Sequence, residues 1–281
     1  MIQFIVGSYA RQNSTLGPLL RRVPLNATTR QVLSLERGEQ RAYLDKLWRF
    51  NHAAGTLAAS TGSSALYQMR KFAGLVRRFN QLPCTVDTRR RRADLLNDCD
   101  KDRCRILVLG DDDLLSVELS RRGFRQVTVA DCDERLLARL RQETQQYSTP
   151  PRIVRADFRQ GFVCPEPMDV VFTDPPYSFE GAQAFLRLAV ASVAPTGRIF
   201  LMVNPEIFGS TFKEISATAV RAGFQLRRHL PAFNAYPIGI LEDVALRLSW
   251  RLLLNAPAPK TGGNPILFCS DCLEFGRGDG D

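Results

Sequence analysis

The sequence predicts an α/β protein: a parallel sheet covered by helices on both faces, finished by an antiparallel hairpin and preceded by a small helical unit. Three observations predict it. From Cys104 onward, short apolar runs alternate with amphipathic stretches of helical spacing. The runs are continuously apolar, as expected of strands buried on both faces. Most of them end on an acid or an amide, at the edge where doubly wound sheets hold their ligands.

The elements follow in order. Residues 1–80 contain "RGEQRAYLDKLWRFNHAAGTLAAS" and "SALYQMRKFAGLVRRFNQL", both with helical periodicity, and predict a helical N-terminal unit. "NQLPCTVD" links it to an α/β domain over 81–256. A helix opens near "TVDTRRRRADLL" with Thr85 or Thr88 as its cap. Its run Arg89 to Arg92 reads as a solvated helix face in preference to a phosphate clamp. "CRILVLG" predicts the first strand and "LLSVELSRRGF" the helix after it. "QVTVADCD", "RIVRADF", "MDVVFTD" and "IFLMVN" predict further strands, with "ERLLARLRQETQQY" and "EGAQAFLRLAVASVAPTGR" as helices among them. "TFKEISATAVRAGF" is a helix. "QLRRHL" and "DVALRLSWRLLL" have no helical pattern between them and predict an antiparallel hairpin. Residues 257–281 read as loop and tail. Alternating units followed by such a hairpin resemble the Rossmann-type methyltransferase sheet.

Composition narrows the function classes. The chain has 281 residues, 44% of them hydrophobic and 24% charged, enough for one sizeable domain and a smaller partner. It contains no apolar run of the roughly 20 residues that span a membrane. The stretch "MIQFIVGSYARQNS" lacks the pattern of a secretory signal, so a cytoplasmic protein is expected. Cys269 and Cys272 form a single CxxC among seven cysteines, with two histidines in the chain. A zinc site needs four ligands, so reduced thiols and no metal are expected. The net charge of +9 could gather a polyanion. Because the arginines are spread along the chain, nucleic acid is possible as a partner but not favoured.

The strand ends carry the chemistry. They read Gly110-Asp111-Asp112-Asp113, then Asp131 and Asp133, then Asp157-Phe158, then Asp174-Pro175-Pro176-Tyr177, then Asn204. Gly110 gives the tight turn after the first strand. Asp131 follows about 20 positions later, the spacing of an acid that bonds a ribose hydroxyl. Asp157 and Phe158 offer an acid and an aromatic face to an adenine. Together these positions describe an adenosyl group. Each aspartate taken alone could instead cap the next helix. "GDDDLL" lacks the glycine pattern of a dinucleotide loop, and three adjacent carboxylates call for a cation: a sulfonium, a polycationic substrate or, last, a divalent metal.

Asp174-Pro175-Pro176-Tyr177 presents carbonyls and a carboxylate to an amine, because the prolines fix the backbone and remove two N–H donors. The same four letters mark enzymes that methylate exocyclic amines of DNA and RNA bases. A flipped-out base would be held as a neutral amine. A polyamine would need several carboxylates, one of which removes the proton that blocks the lone pair. The acids at the strand ends favour the polyamine.

"ILVLGDDDLLSVEL", "VADCDERL", "FTDPP" and "FNAYPIGILEDVALRLSW" resemble the branched-chain polyamine synthases, aminopropyltransferases with a Gly-Asp-Asp-Asp motif. "NQLPCTVDTRRRRADLL" is similar to that family's linker. The resemblance covers about residues 80–254. It implies aminopropyl transfer from decarboxylated S-adenosylmethionine to an amine of a polyamine, without a metal. It implies that Asp111, Asp112 and Asp113 line the junction of donor and acceptor, with Asp113 as general base. It implies further that Asp131 holds the ribose and Asp174 the acceptor amine. Phe233, Asn234 and Tyr236 would cover the pocket, and Glu242 or Asp243 would bind a distal ammonium. Pro175, Pro176 and Tyr177 would shape the acceptor side; Gly110, Asp157 and Phe158 would complete the donor side. Tyr177 stands where family members often carry an acid, which keeps open an amino-methyltransferase using S-adenosylmethionine on DNA or RNA bases. A catalytically silent scaffold subunit is the reading from outside enzymes. The expected assembly is a homodimer.

Overall fold

The computed structural model describes residues 37–58, 82–162, 164–238, 243–244, 247, 257–258 and 266–277. Chain contacts divide the protein into two compact units, Met1–Thr85 with Ala235–Cys269 and Val86–Asn234 with Ser270–Asp281. No helix among the described residues is long and apolar enough to cross a membrane.

In the first unit, helix α1 (Arg37–Ala58) buries Tyr43, Leu44, Leu47 and Asn51, a stripe at helical spacing. The Asn51 side chain pairs with backbone. Its Nδ2 donates to the Leu267 carbonyl at 3.0 Å, and its Oδ1 accepts the Leu267 N–H at 3.0 Å. The rest of the expected helical segment lies outside the described residues.

The second unit opens with α2 (Val86–Asp94), which starts directly after Thr85; Thr88 sits within the helix. The regular alternation follows: β1 (Arg105–Leu109), α3 (Leu115–Arg121), β2 (Gln126–Asp131), α4 (Glu134–Thr144), β3 (Arg152–Arg155), β4 (Met168–Thr173), α5 (Phe179–Ser192) and β5 (Val193–Val203). Then come the short α6 (Pro205–Phe208), α7 (Phe212–Arg221), β6 (Phe224–Pro237) and β7 (Leu267–Arg277). The sheet order is β3-β2-β1-β4-β5-β7-β6, with β5 and β7 antiparallel and the pairs from β3 to β5 parallel. Leu107, Leu109, Val171, Leu186 and Leu201 are fully buried in its core, and Phe172 and Phe200 stack with centroids 4.7 Å apart. This is the Rossmann-type order expected. The chain runs outward from β1 to β3 and then returns to place β4 on β1's other side. The crevice beyond the C-terminal ends of β1 and β4 is therefore the topological switch point, where such sheets bind ligands.

Two expectations are corrected at the C-terminal end. The segment read as loop and tail contains β7, an interior strand of the sheet. Its charges hid it. Asp271 and Glu274 break the apolar run, yet both are buried and partnered. Asp271 accepts the Ala232 N–H at 2.8 Å and pairs with His229 at 2.7 Å, while Glu274 is held by Arg228 and lies 3.7 Å from Arg198. β6 has β7 as its neighbour in the sheet, and the expected second strand "DVALRLSWRLLL" lies mostly outside the described residues. Of its residues, Asp243, Val244 and Arg247 are described, and they have helical backbone. Arg247 reaches back four positions to Asp243 at 2.7 Å.

Candidate active site

The loop after β1 is folded by its own first acid. Asp111 is fully buried and accepts the N–H groups of Leu115 at 2.6 Å and Ser116 at 3.1 Å. These are free donors at the start of α3. Asp111, not Asp113, is therefore the cap of this helix. Its carboxyl is nevertheless pushed up to about 7, because burial outweighs the donors. The turn takes two left-handed residues, Gly110 at φ 71° and Leu114 at φ 58°. A leucine in that region costs about 1–3 kcal/mol, which the surrounding fold has to offset. The result presents Asp112 and Asp113 at the switch point.

Asp113 and Asp174 meet there, brought together by a residue that the sequence reading placed in solvent. Arg92 on α2 is 2% exposed. Its Nη1 pairs closely with Asp113, its Nη2 lies 2.7 Å from Asp174 and its Nε donates to Asn234 Oδ1 at 2.8 Å. The solvated-face expectation holds for the exposed Arg90 and fails for Arg92. Sequence could have shown it: Arg92 lies four residues after the buried Thr88, on the same face of α2, and next to the buried Ala93. A pocket between these groups is lined by Gly110, Asp111, Asp113, Thr173, Asp174 and Met202, among others.

Asp112 is the exception. It is half-buried, and its carboxylate makes no hydrogen bond or ion pair with the described residues. Burial, then the neighbouring Asp113 and Asp174 charges, push its carboxyl well above the ordinary carboxylate range, against the pull of Arg92.

The donor-side residues also converge. Asp131 ends β2 with one oxygen accepting the Asp133 N–H at 2.7 Å. Its other oxygen lies 3.8 Å from where a Cβ on Gly110 would stand. Burial raises its carboxyl. The exposed Cys132 thiol is raised by burial and by the Asp131 and Asp157 charges, so those two acids share a neighbourhood. Phe158 meets Phe185 edge-on at 4.8 Å, and a Cβ on Gly110 would come 3.3 Å from the Phe185 ring. Phe185, on α5, was not foreseen, because in sequence it reads as a core position of an amphipathic helix. The absent side chain at Gly110 lets the turn approach the Phe185 ring and the Asp131 carboxylate closely.

Other predicted residues have local tasks. Asp133 caps α4 and Asn204 caps α6 through backbone N–H groups. Pro175 is buried and Pro176 exposed. Tyr177 is half-buried, edge-on to Phe208 at 6.0 Å. Phe233 lies under the Arg91 guanidinium, 5.3 Å away. Asn234 is fully buried and spends its carbonyl on Arg92. Tyr236 and Asp243 belong to the first unit, where Asp243 is engaged by Arg247 and by the Ile266 N–H at 2.7 Å. Glu242 lies outside the described residues. Cys269 and Cys272 are buried in β7, and burial pushes the Cys272 thiol up to about 12. Among the described residues no cluster of three or more ligating side chains is arranged for a metal.

Comparison with known proteins places the fold and the family. The branched-chain polyamine synthase of Thermus thermophilus, in complex with N4-aminopropylspermidine and 5'-methylthioadenosine, aligns with a TM-score of 0.56 at 21% identity, over 77% of this chain and 65% of that one. A putative RNA methyltransferase from Pyrococcus horikoshii aligns with a TM-score of 0.51 at 14% identity, over 70% of this chain and 86% of that one. At such identities the likeness establishes the fold. In sequence, the chain is 28% identical over 135 residues to an uncharacterized protein of Methanocaldococcus jannaschii, 47% of this chain and 34% of that one. The chain thus spans about a third of that curated relative and just under two thirds of the Thermus enzyme. Residues 70–246, well over half of the sequence, match the family described as the branched-chain polyamine synthase A C-terminal domain, and the chain belongs to that family.

Proposed function

We propose that the protein transfers an aminopropyl group from decarboxylated S-adenosylmethionine to an amine of a polyamine. The observation that carries this reading is the charge arrangement at the switch point. Asp113 and Asp174 are matched by one buried guanidinium, Asp111 is folded into the start of α3, and Asp112 stays open with a raised carboxyl. A carboxylate raised above its ordinary range is a stronger base than a free one and can take a proton from an ammonium.

The proposed chemistry follows from those residues. The donor's adenosyl end would lie at Gly110 and Phe158, its ribose on Asp131 and its adenine against Asp157. Asp112 takes one proton from the acceptor ammonium and frees the nitrogen lone pair. That nitrogen attacks the aminopropyl carbon bonded to the sulfonium. The C–N bond forms as the C–S bond breaks, and the S–C electron pair stays on sulfur, giving neutral 5'-methylthioadenosine. The negative loop favours a donor without the methionine carboxylate. Pro175, Pro176 and Tyr177 would border the acceptor, and Phe233 is proposed to cover it.

The test incubates the purified protein with decarboxylated S-adenosylmethionine and spermidine and follows both products by mass spectrometry. Equimolar 5'-methylthioadenosine and aminopropylated amine are expected. In parallel, the decarboxylated donor should protect against melting more than S-adenosylmethionine does; a ligand at 100 times its Kd stabilises by about 2.7 kcal/mol. Methylation of an oligonucleotide by S-adenosylmethionine, without aminopropyl transfer, would overturn the reading.

A further inference from the structure

We infer that Arg92 is the positioning residue of this site: its guanidinium clamps Asp113 and Asp174 and so leaves Asp112 as the carboxylate that meets the ligand's amine. The inference rests on the amine-alkylating reading above and adds a residue to it.

Each nitrogen position of the guanidinium has a partner on a different element: Asp113 on the loop after β1, Asp174 on the loop after β4 and Asn234 on β6. A planar fork can satisfy three directions at once; an ammonium on a flexible stem cannot hold the same geometry. Asn234 is fixed in turn, its Nδ2 donating to Ser270 Oγ at 3.0 Å. The charged groups facing Asp112 are Asp111 and Asp113 on its own loop, Asp174, and Arg92 itself. On β7, the Cys272 thiol feels Arg92 and Asp174, and burial keeps it protonated.

The clamp has a consequence for substrate class. Asp113 and Asp174 already have a cation, so an incoming polyamine finds one unmatched carboxylate at the junction. The site therefore reads a single amine there, and the ligand's other ammonium groups must be met elsewhere. Without Arg92, three carboxylates would compete for the same nitrogen, and the proton would be shared among them.

The experiment compares wild type with Arg92→Lys, Arg92→Gln and Asn234→Leu. Two quantities are followed: the pH dependence of amine turnover, and the carboxyl ¹³C titration of Asp112 in the ligand-free protein. Loss of the guanidinium removes a neighbouring positive charge, so Arg92→Gln should move the Asp112 titration and the acid limb of turnover to higher pH by about one unit or more. Arg92→Lys should fall between it and wild type. Asn234→Leu, which leaves the ion pairs but frees Nε, should shift in the same direction by less. If Arg92→Gln does not fold, the other two variants carry the test. A purely structural Arg92 would lower the melting temperature and leave both pH curves in place, and that result overturns the inference. If wild type alkylates no amine, the functional reading fails, while the ligand-free titration still decides the role of Arg92.

Discussion

Replacing Asp112 and Asp113 by asparagine, one at a time, should give opposite phenotypes. The Asp113 and Arg92 side chains are 4% and 3% exposed. Removing one partner of a buried ion pair costs about 3–5 kcal/mol, since the other charge stays behind uncompensated. Asp174 still holds Arg92, so the lower end applies. At about 2–4 °C per kcal/mol for a chain of this size, Asp113→Asn should melt about 6–12 °C below wild type. Asp112 has no hydrogen-bond or ion-pair partner among the described residues, and burial already disfavours its charge. An isosteric neutral amide should therefore leave the melting temperature unchanged or raise it. Its turnover should instead fall about 10²–10⁴-fold, the usual contribution of a general base, which corresponds to about 3–5 kcal/mol in the barrier. The assay is single-turnover release of 5'-methylthioadenosine at saturating donor and amine, below the melting range of both variants, with scanning fluorimetry beside it. Near wild-type turnover in Asp112→Asn would remove that residue as the base. An Asp113→Asn protein that melts normally but turns over slowly would restore Asp113 to the role that the family resemblance implied.

Asp111→Asn should change stability in a pH-dependent way. The folded protein holds the Asp111 proton up to about pH 7, whereas an unfolded aspartate releases it near pH 3.9. The wild type's stabilising contribution from this group is thus present below about pH 4 and lost as pH rises through about 7, a change on the order of 4 kcal/mol. Asparagine does not titrate, so the melting difference should move in favour of Asp111→Asn between about pH 5 and pH 8; a constant difference refutes the assignment. Gly110→Ala places a Cβ at φ 71° and 3.3 Å from the Phe185 ring. It should cost about 1–2 kcal/mol from the left-handed backbone alone and weaken donor binding by calorimetry; unchanged donor affinity would separate Gly110 from the adenosyl site.

The sheet was legible because parallel strands covered on both faces have to be apolar at their buried positions, and the "ILVL" of β1 and the "VVF" of β4 are. The site's location was legible for a related reason: in a doubly wound sheet the strand ends alone determine where acids converge. What sequence could not show is the division of labour among identical side chains. Asp111, Asp112 and Asp113 are equivalent letters, and only the left-handed turn at Gly110 and Leu114 sends one to cap a helix, one to an arginine and one to open space. Strand β7 was missed because its acids look like surface residues until Arg198, Arg228 and His229 are placed beside them by β5 and β6. Long-range pairing of this kind leaves no local periodicity to read.

The same pairing explains how a chain of net charge +9 can build a negative site. Many arginines of the α/β unit face a carboxylate: Arg105 meets Asp169, Arg121 and Arg122 share Glu118, Arg125 meets Asp102 and Arg135 meets Asp133. Each of those pairs contributes nothing to the net charge, so the excess of +9 comes from basic residues outside them and says nothing about the sign of the charge at the strand ends. At the switch point the balance reverses, with four aspartates around one guanidinium. The proposed reaction suits that balance, because a sulfonium donor and a protonated amine both bring positive charge to it. Arg92 is then more than a counter-ion. By pairing with two of the four carboxylates from inside the fold, its single charge eases their repulsion and leaves Asp112 unpaired for the proposed reaction.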